Sequence, residues 1–237
     1  MVRAVLFDLD DTIFDHRETS RRALSALRSG FPVLRQFSLD ELEQRHARVL
    51  EELHHGGVMQ GFVSVDAARE ERFRRIWREA GAEATGGVAR EAAALYRRSY
   101  LAERCLVPGA GGVLRAIKPY AQIGIVTNNV LAEQEDKLRQ FGLRSLIDAL
   151  VVSAEEGVAK PEPGIFVRAL ARLGCEAAEA VMVGDTWATD IIGATAAGIR
   201  AVWFNRRGLP SPDPVLAAEI RSLEPAGPVV QQILGEV

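Results

Sequence analysis

The chain has 237 residues, 48% of them hydrophobic, with 29 Lys and Arg against 32 Asp and Glu for a net charge of −3. That length and apolar content provide a core for one large or two small domains and argue against disorder, and the small net charge gives no basis for a nucleic-acid polymer or a membrane surface as main partner. The two cysteines, Cys105 and Cys175, lie far apart, which fits reduced thiols in a cytoplasm rather than a disulfide framework or a zinc cluster.

The first predicted element is a compact apolar run at 4–7 that ends on Asp8. It reads as a buried strand whose carboxyl end presents acids. The opening MVRAVLFDLDD meets acids too soon for a secretory signal, and no run approaches the roughly 18 apolar residues of a membrane span. A cytoplasmic location is expected. From 16 to 104 the rhythm changes and no convincing strand is present. Ser38 followed by Glu41 is a capping box that opens a helix, which His54-His55-Gly56-Gly57 closes. Phe73, Ile76, Trp77 and Ala80 recur at helical spacing, as do Val88, Ala92, Leu95 and Ser99. Three or four helices are therefore expected as a separate bundle inserted after the first strand. Its 16 Arg against 13 acids give +3 and leave −3 − 3 = −6 for the rest. A basic insert beside an acidic core suits an anionic substrate; ordinary helix surfaces are the preferred explanation.

Pro108-Gly109 marks the return to the first domain. Short apolar runs follow at 122–126, 149–152, 180–183 and 200–204, with helical patterns between them at 131–141, 165–173 and 191–197. Gly142, Gly174 and Gly198 close these helices. Strand alternating with helix predicts an α/β fold with a parallel sheet covered on both faces. The expected domains are 1–15 with 105–237, and 16–104. The end of the chain, 210–237, reads as a loop, a short helix and a final amphipathic piece.

Four clusters carry chemistry. Asp8-Leu9-Asp10-Asp11-Thr12 follows the first strand; Thr127-Asn128 ends the second; Lys160-Pro161-Glu162-Pro163 sets a lysine beside prolines; and Gly184-Asp185 with Asp190 follows a third strand. Carboxylates at the carboxyl ends of parallel strands sit where open α/β sheets bind ligands. Taken singly, each has a plainer explanation: an acidic loop or cap, a helix-capping threonine, a surface turn, a chain reversal. Only three of the 29 basic residues are lysines, Lys118, Lys137 and Lys160, a bias that genomic base composition alone can produce.

Together, and in this order, the clusters resemble the haloacid dehalogenase-like superfamily. The resemblance extends to SAEEGVAKPEPGIFVRAL and VMVGDTWATDIIGATAAGI and covers nearly the whole chain. It implies a Rossmann-like core with an inserted small α-helical cap domain. It also implies Asp8 as nucleophile, Asp10 as acid/base, and Thr127 and Lys160 as phosphoryl holders, with Asn128 beside them on the substrate. Mg²⁺ is implied on Asp8, the carbonyl of Asp10 and Asp185, with Asp190 and Thr12 in support. Asp190 has two roles open to it: ordering a metal-bound water, or orienting Lys160. Thr12 is expected to fix the turn that aims the two acids. Thr189 stands where many relatives have Asn, which leaves one supporting hydrogen bond open.

The chemistry asks for this set. A phosphate dianion repels a carboxylate nucleophile, so a hard cation held by oxygens and an ammonium must offset the charge first. A covalent aspartyl-phosphate then needs a proton donor for the leaving oxygen and a base for water, which one residue can supply in turn. A halide leaves without a proton, so Asp10 favours phosphatase action over a 2-haloacid dehalogenase. A phosphomutase, or a non-catalytic binding protein on the same scaffold, would also fit these residues. DLDDT with Ile13-Phe14, and TNN followed by Gln134 and Leu138, look more like the branch of pyrimidine 5'-nucleotidase-like and N-acylneuraminate-9-phosphatase-like proteins. The expected partner is a small phosphorylated metabolite, a nucleoside 5'-monophosphate or sugar phosphate, and the chain is expected as a monomer or homodimer. Of the histidines, His16 is read as a solvated hinge residue and His46 as an exposed helix residue. His54 and His55 are rejected as a metal pair because adjacent side chains diverge on a helix. Trp77 and Tyr100 are read as packing residues, and Trp187 either as packing or as part of the rim of the site.

Overall fold

β1 (Ala4–Phe7) has no polar side chain, and all four residues are buried. A strand apolar on both faces belongs inside a parallel sheet rather than at its edge. The computed structural model, which describes residues 1–53 and 64–235, places it there. β1 lies between β2 (Gln122–Thr127) and β4 (Ala180–Gly184), with β3 (Ala149–Val152) outside β2 and β5 (Arg200–Phe204) and β6 (Ala218–Ile220) outside β4. All pairs are parallel. The order β3-β2-β1-β4-β5-β6 reverses direction beside β1, and such a switch point opens a crevice at the carboxyl ends of the strands. Phe7 pairs with both Ile125 and Val183, so Asp8, Thr127 and Asp185 come off three adjacent strands at one edge.

Alternation along the strands divides the core. Ala4, Leu6, Val126, Val151, Met182 and Trp203 pack with Phe166, Leu170 and Ala194 on one face, contributed by α8 (Pro163–Leu173) and α9 (Ile192–Ala196). On the other face, α5 (Ala110–Ile117) touches β2 and α10 (Ala226–Leu234) touches β4. In the chain, α6 (Leu131–Gln140) precedes β3 and the short α7 (Ser153–Glu156) follows it. Gly142, Gly174 and Gly198 all have positive φ, as expected of helix ends. Two elements depart from the sequence reading. In the stretch 210–237 the final amphipathic piece is α10, but a sixth strand stands where a short helix was expected before it. β6 is three residues at the edge of the sheet, too short for an alternation signal. The helix read at 191–197 opens as a π turn, Trp187–Ile191, before α9.

The chain divides into two compact units, Met1–Asp15 with Leu106–Val237, and His16–Cys105. In the second, α1 (His16–Gly30), α2 (Leu39–Leu53), α3 (Val65–Glu79) and α4 (Val88–Ala102) pack on one another. The capping box is present: Glu41 N–H donates to Ser38 Oγ at 3.2 Å, and Ser38 N–H to Glu41 Oε2 at 2.7 Å. Phe73, Ile76 and Trp77 are buried, with Trp77 edge-on to Phe31. On α4 the buried face is Ala89, Ala92, Tyr96 and Tyr100; of the predicted set Ala92 is on it, while Val88, Leu95 and Ser99 each lie one residue short of a buried position, because the tyrosines bring the largest apolar surface. Residues 54–57, read as a helix end with the pair His54 and His55, lie outside the described residues. Many arginines of this unit meet its own acids: Arg21 with Asp40 and Glu43 at 2.6 Å, Arg45 and Arg48 with Glu79 at 2.5 Å. Such exposed pairs contribute little and fit ordinary helix surfaces. No helix among the described residues is long and apolar enough to cross a membrane.

Two histidines differ from expectation. His16 is half-buried, with Nδ1 2.7 Å from the Tyr100 hydroxyl. His46 is not exposed but 2% accessible, under the rings of Phe73 and Tyr96. Arg72 Nη1 lies 2.9 Å from His46 Nε2; a guanidinium only donates, so the neutral imidazole accepts. Burial, then the charge of Arg72, hold the His46 pKa well below its usual 6.5. The unfolded chain therefore binds a proton there that the folded chain refuses, and stability is lost as pH falls below 6.5. His46→Gln, which can still accept from Arg72, is expected to flatten the fall in melting temperature below that pH, by up to about 1.4 kcal/mol per pH unit. Identical acid slopes for the two chains would count against a neutral buried imidazole.

Candidate active site

The loop after β1 is built from its own backbone. Asp8 N–H extends the ladder to Val183 O at 2.9 Å; Leu9 O accepts from Ile13 and Phe14, and Asp11 N–H donates to Phe14 O at 2.7 Å. Asp11 has φ 66, the one positive value of a non-glycine among the described residues. Aspartate tolerates that conformation better than most side chains, and it closes the turn that carries Asp8 and Asp10. Thr12 is fully buried, but its hydroxyl hydrogen-bonds to nothing among the described residues. The hydrogen bonds that close the turn are main-chain ones, and the Thr12 hydroxyl adds none among the described residues.

Lys160 stands at the centre. Its ammonium, buried with the residue 5% exposed, donates to Asp8 Oδ1 at 2.6 Å and to Asp190 Oδ1 at 2.7 Å. Asn128 positions the lysine backbone: its Nδ2 donates to Lys160 O and its Oδ1 accepts from Lys160 N, both at 2.8 Å. The carboxamide expected on the substrate is thus engaged with main chain. Asp190, on the π turn, is 1% exposed and accepts from Thr186 N–H at 3.0 Å and from the Thr189 hydroxyl at 3.3 Å. Thr189, where many relatives have Asn, thus retains one hydrogen bond to Asp190. A wide turn here sets Asp190 against the end of β4, and the strand must make room: a Cβ on Gly184 would stand 2.4 Å from Asp190 Oδ2 and 2.5 Å from its Cβ. Gly193 is as constrained, since its Cβ would lie 2.8 Å from Pro161 O.

Asp8, Asp185 and Asp190 offer carboxylate oxygens within 4.8 Å of one another. Three carboxylates against the Lys160 ammonium leave −3 + 1 = −2 when all are ionised. Burial pushes the Asp8 carboxyl up to about 7 despite Lys160, with Asp190 adding to the rise. Burial also pushes Asp185 up to about 9, reinforced by Asp8, Asp190 and Asp11. Burial alone would lower the Lys160 pKa; Asp190 and Asp8 outweigh it and hold it above its usual value. An all-oxygen set with surplus negative charge suits a hard divalent cation.

Asp10 belongs to a second group of side chains. Lys137 Nζ donates to its Oδ1 at 2.5 Å, while Asn129 Nδ2 and Gln134 Nε2 donate to its Oδ2 at 3.2 and 3.0 Å. Gln134 Nε2 also donates to Thr127 Oγ1 at 2.7 Å. Gln134 and Lys137 come from α6. Sequence reasoning assigned neither residue a role, nor Asn129. The available signals were the scarcity of lysine and the i, i+3 spacing that puts Gln134 and Lys137 on one helix face. Trp187 packs edge-on to Trp203 at 5.1 Å, and Trp203 Nε1 holds Asp185 O at 2.8 Å, so Trp187 is part of the packing beneath the Asp185 loop.

Comparisons with known proteins bear on the family and the fold. A family model for haloacid dehalogenase-like hydrolases matches residues 2–198. Pyrimidine 5'-nucleotidase YjjG of Escherichia coli is 43% identical over 115 residues, 48% of this chain and 51% of that protein, so the match spans about half the length of that relative. Human N-acylneuraminate-9-phosphatase is 29% identical over 220 residues, 88% of this chain and 84% of that protein. The solved structure of the HAD-hydrolase YfnB from Bacillus subtilis, bound to magnesium, has 27% sequence identity and a TM-score of 0.74 and covers 99% of each chain.

Proposed function

The chain belongs to the haloacid dehalogenase-like hydrolases, and on that premise we propose that it is a Mg²⁺-dependent phosphatase of small phosphate monoesters, with Asp8 as nucleophile. The observation that carries this reading is the buried Lys160 ammonium between Asp8 and Asp190, in a group of acids that still has negative charge to spare. Asp8, Asp185 and the main-chain carbonyl of Asp10 are the residues assigned to the cation. When bound, it supplies the neutralisation that lets an anionic carboxylate approach a phosphate dianion.

A carboxylate oxygen of Asp8 attacks phosphorus, and the bond from phosphorus to the ester oxygen breaks. That oxygen takes a proton from Asp10 and leaves as an alcohol. Water then attacks the aspartyl-phosphate, giving a proton back to Asp10. The bond from phosphorus to Asp8 breaks, releasing inorganic phosphate and restoring both carboxyl groups. Lys160 and the Thr127 hydroxyl hold phosphoryl oxygens whose charge grows in the transition state. Asp190 keeps Lys160 aimed, and Asn128 fixes its backbone. The helical unit inserted after the nucleophile loop is assigned the role of cap. Nucleoside 5'-monophosphates and sugar phosphates are the favoured substrate classes, in keeping with the names of the two enzyme relatives.

The test is phosphate release from a panel of nucleoside 5'-monophosphates, sugar phosphates and an aryl phosphate, before and after chelation. Release is expected to fall by about 10³-fold on chelation, a loss of several kcal/mol of transition-state stabilisation, and to return with Mg²⁺. Turnover indifferent to chelation would remove the metal from the mechanism. A folded, Mg²⁺-loaded chain that releases nothing from any member would favour a binding role instead.

A further inference from the structure

Asp10 is held more tightly than docking α6 requires. Lys137, with its side chain 3% exposed, reaches Asp10 Oδ1 and lies 4.8 Å from the centroid of the Phe14 ring; Phe14 in turn meets Phe141 just past the end of α6, at 6.2 Å. Those contacts alone would fasten the helix to the nucleophile loop. Yet the other carboxylate oxygen is taken as well, by Asn129 and Gln134. The single amide group of Gln134 spans Asp10 Oδ2 and Thr127 Oγ1, which fixes the acid relative to a residue assigned to the phosphoryl group. Gln134 Oε1 is buried and makes no hydrogen bond among the described residues, which is unfavourable for a buried acceptor. Reversing the amide would turn that oxygen on Asp10. Gln134 therefore gives up one bond to keep its donors on Asp10 and Thr127.

Resting on the phosphatase reading above, we propose that Lys137 is a positioning residue for the reaction: with Gln134 it fixes the direction in which Asp10 presents its carboxyl group to the leaving oxygen and then to water. Lys137 acts through Asp10 rather than on the phosphoryl group itself. Misdirecting Asp10 matters only in steps that move a proton, so the loss depends on the leaving group. An alkyl alcohol needs protonation as it departs, whereas 4-nitrophenolate does not. Hydrolysis of the aspartyl-phosphate needs the base whatever has left.

The experiment compares the unaltered chain, Lys137→Met, Asp10→Asn and the double variant on a nucleoside 5'-monophosphate and on 4-nitrophenyl phosphate, by steady-state and rapid-mixing kinetics. Lys137→Met is expected to lower kcat for the nucleotide about 10- to 100-fold, part of the 10²–10⁴ that acid/base help provides, with KM within about threefold. With the aryl ester it is expected to release a burst near one nitrophenolate per active site, followed by slow turnover. The double variant is expected within about twofold of Asp10→Asn, because the lysine acts through that acid. Losses that multiply in the double variant, or first-turnover rates that fall equally for both esters, would overturn the proposal. Lys137→Gln, which keeps a donor without the charge, is read by the same criteria if the methionine variant folds poorly. Failure of the unaltered chain to hydrolyse either ester would overturn the phosphatase reading and this inference with it; robust turnover with multiplying losses overturns this inference alone.

Discussion

Asp8→Asn is expected to abolish turnover while leaving the metal-free fold at least as stable as before. The amide keeps the size of the carboxyl group and can still accept from Lys160, but it is a poor nucleophile. Removing the attacking group of a covalent mechanism is expected to lower kcat by about 10⁴-fold or more. Stability moves the other way. Burial lifts the Asp8 pKa from 3.8 to about 7, so across that window the folded chain keeps a proton that the unfolded chain has lost. Stability from this residue therefore falls as pH rises from 3.8 towards 7, and above it the charged Asp8 weakens the metal-free fold. The amide removes that penalty. Phosphate release and melting curves, taken on the same metal-free and Mg²⁺-loaded samples, separate the two effects. Retention of more than about a hundredth of the activity would place the nucleophile elsewhere. A large drop in melting temperature would show that Asp8 is a structural acid rather than one held at a cost for chemistry.

Lys160→Met is expected to lower both activity and stability. The ammonium is the one positive group bonded to Asp8 and Asp190 among the described residues. Replacing it with an apolar side chain of similar length leaves Asp8, Asp185 and Asp190 facing one another. Breaking a buried pair by removing one partner costs about 3–5 kcal/mol. Asp190 and Asp8 hold the Lys160 pKa above its usual 10.5, so its stabilising charge is fully present at any pH below that value, and the loss should not vary across the neutral range on its account. Turnover is expected to fall by about 10³-fold, the scale of losing one preorganised group that stabilises growing charge. Denaturant midpoints and phosphate release at pH 7–8 measure both; Mg²⁺ should restore part of the stability and little of the rate. A variant as stable as the parent, with turnover within about tenfold of it, would remove Lys160 from the phosphoryl site.

What could be read from the sequence follows from where the information lies. The central strands are apolar on both faces, so short runs such as 4–7 and 180–183 stand out without an alignment. β6, three residues at the sheet edge, has no such mark. Asp8, Thr127, Lys160, Asp185 and Asp190 could be picked out as strand-end and turn residues, but singly each had a plainer explanation, and only their order together, through the family resemblance, pointed to roles. The group around Asp10 could not be picked out. Gln134 and Lys137 look like solvent-facing residues of a polar helix, and only the docking of α6 on the nucleophile loop brings them to an acid more than 120 positions away. His46 misled in the same way, and nothing in the sequence marked Arg72 as its partner. Charged or polar side chains in amphipathic helices normally face water, and a buried pair of them shows only after the helices have packed. On α4 the period was right and Ala92 was found, but the other three positions were off by one residue, since Ala89 weighs little until Tyr96 and Tyr100 settle which face is inside.

The closeness of Gly184 to Asp190 bears on how such chains diverge. Glycine in the run Gly184-Asp185 invites explanation as a hinge, but its neighbour in space is a carboxylate six residues on, and any side chain would occupy the volume of that acid. The two positions are therefore a single heritable unit. A lineage that trades Asp190 for a smaller residue releases the constraint at 184, while one that fills 184 first has already displaced the partner of its lysine. The order of change is thus restricted, and a descendant carrying a side chain at 184 together with an intact Asp190 would have to have moved the end of β4.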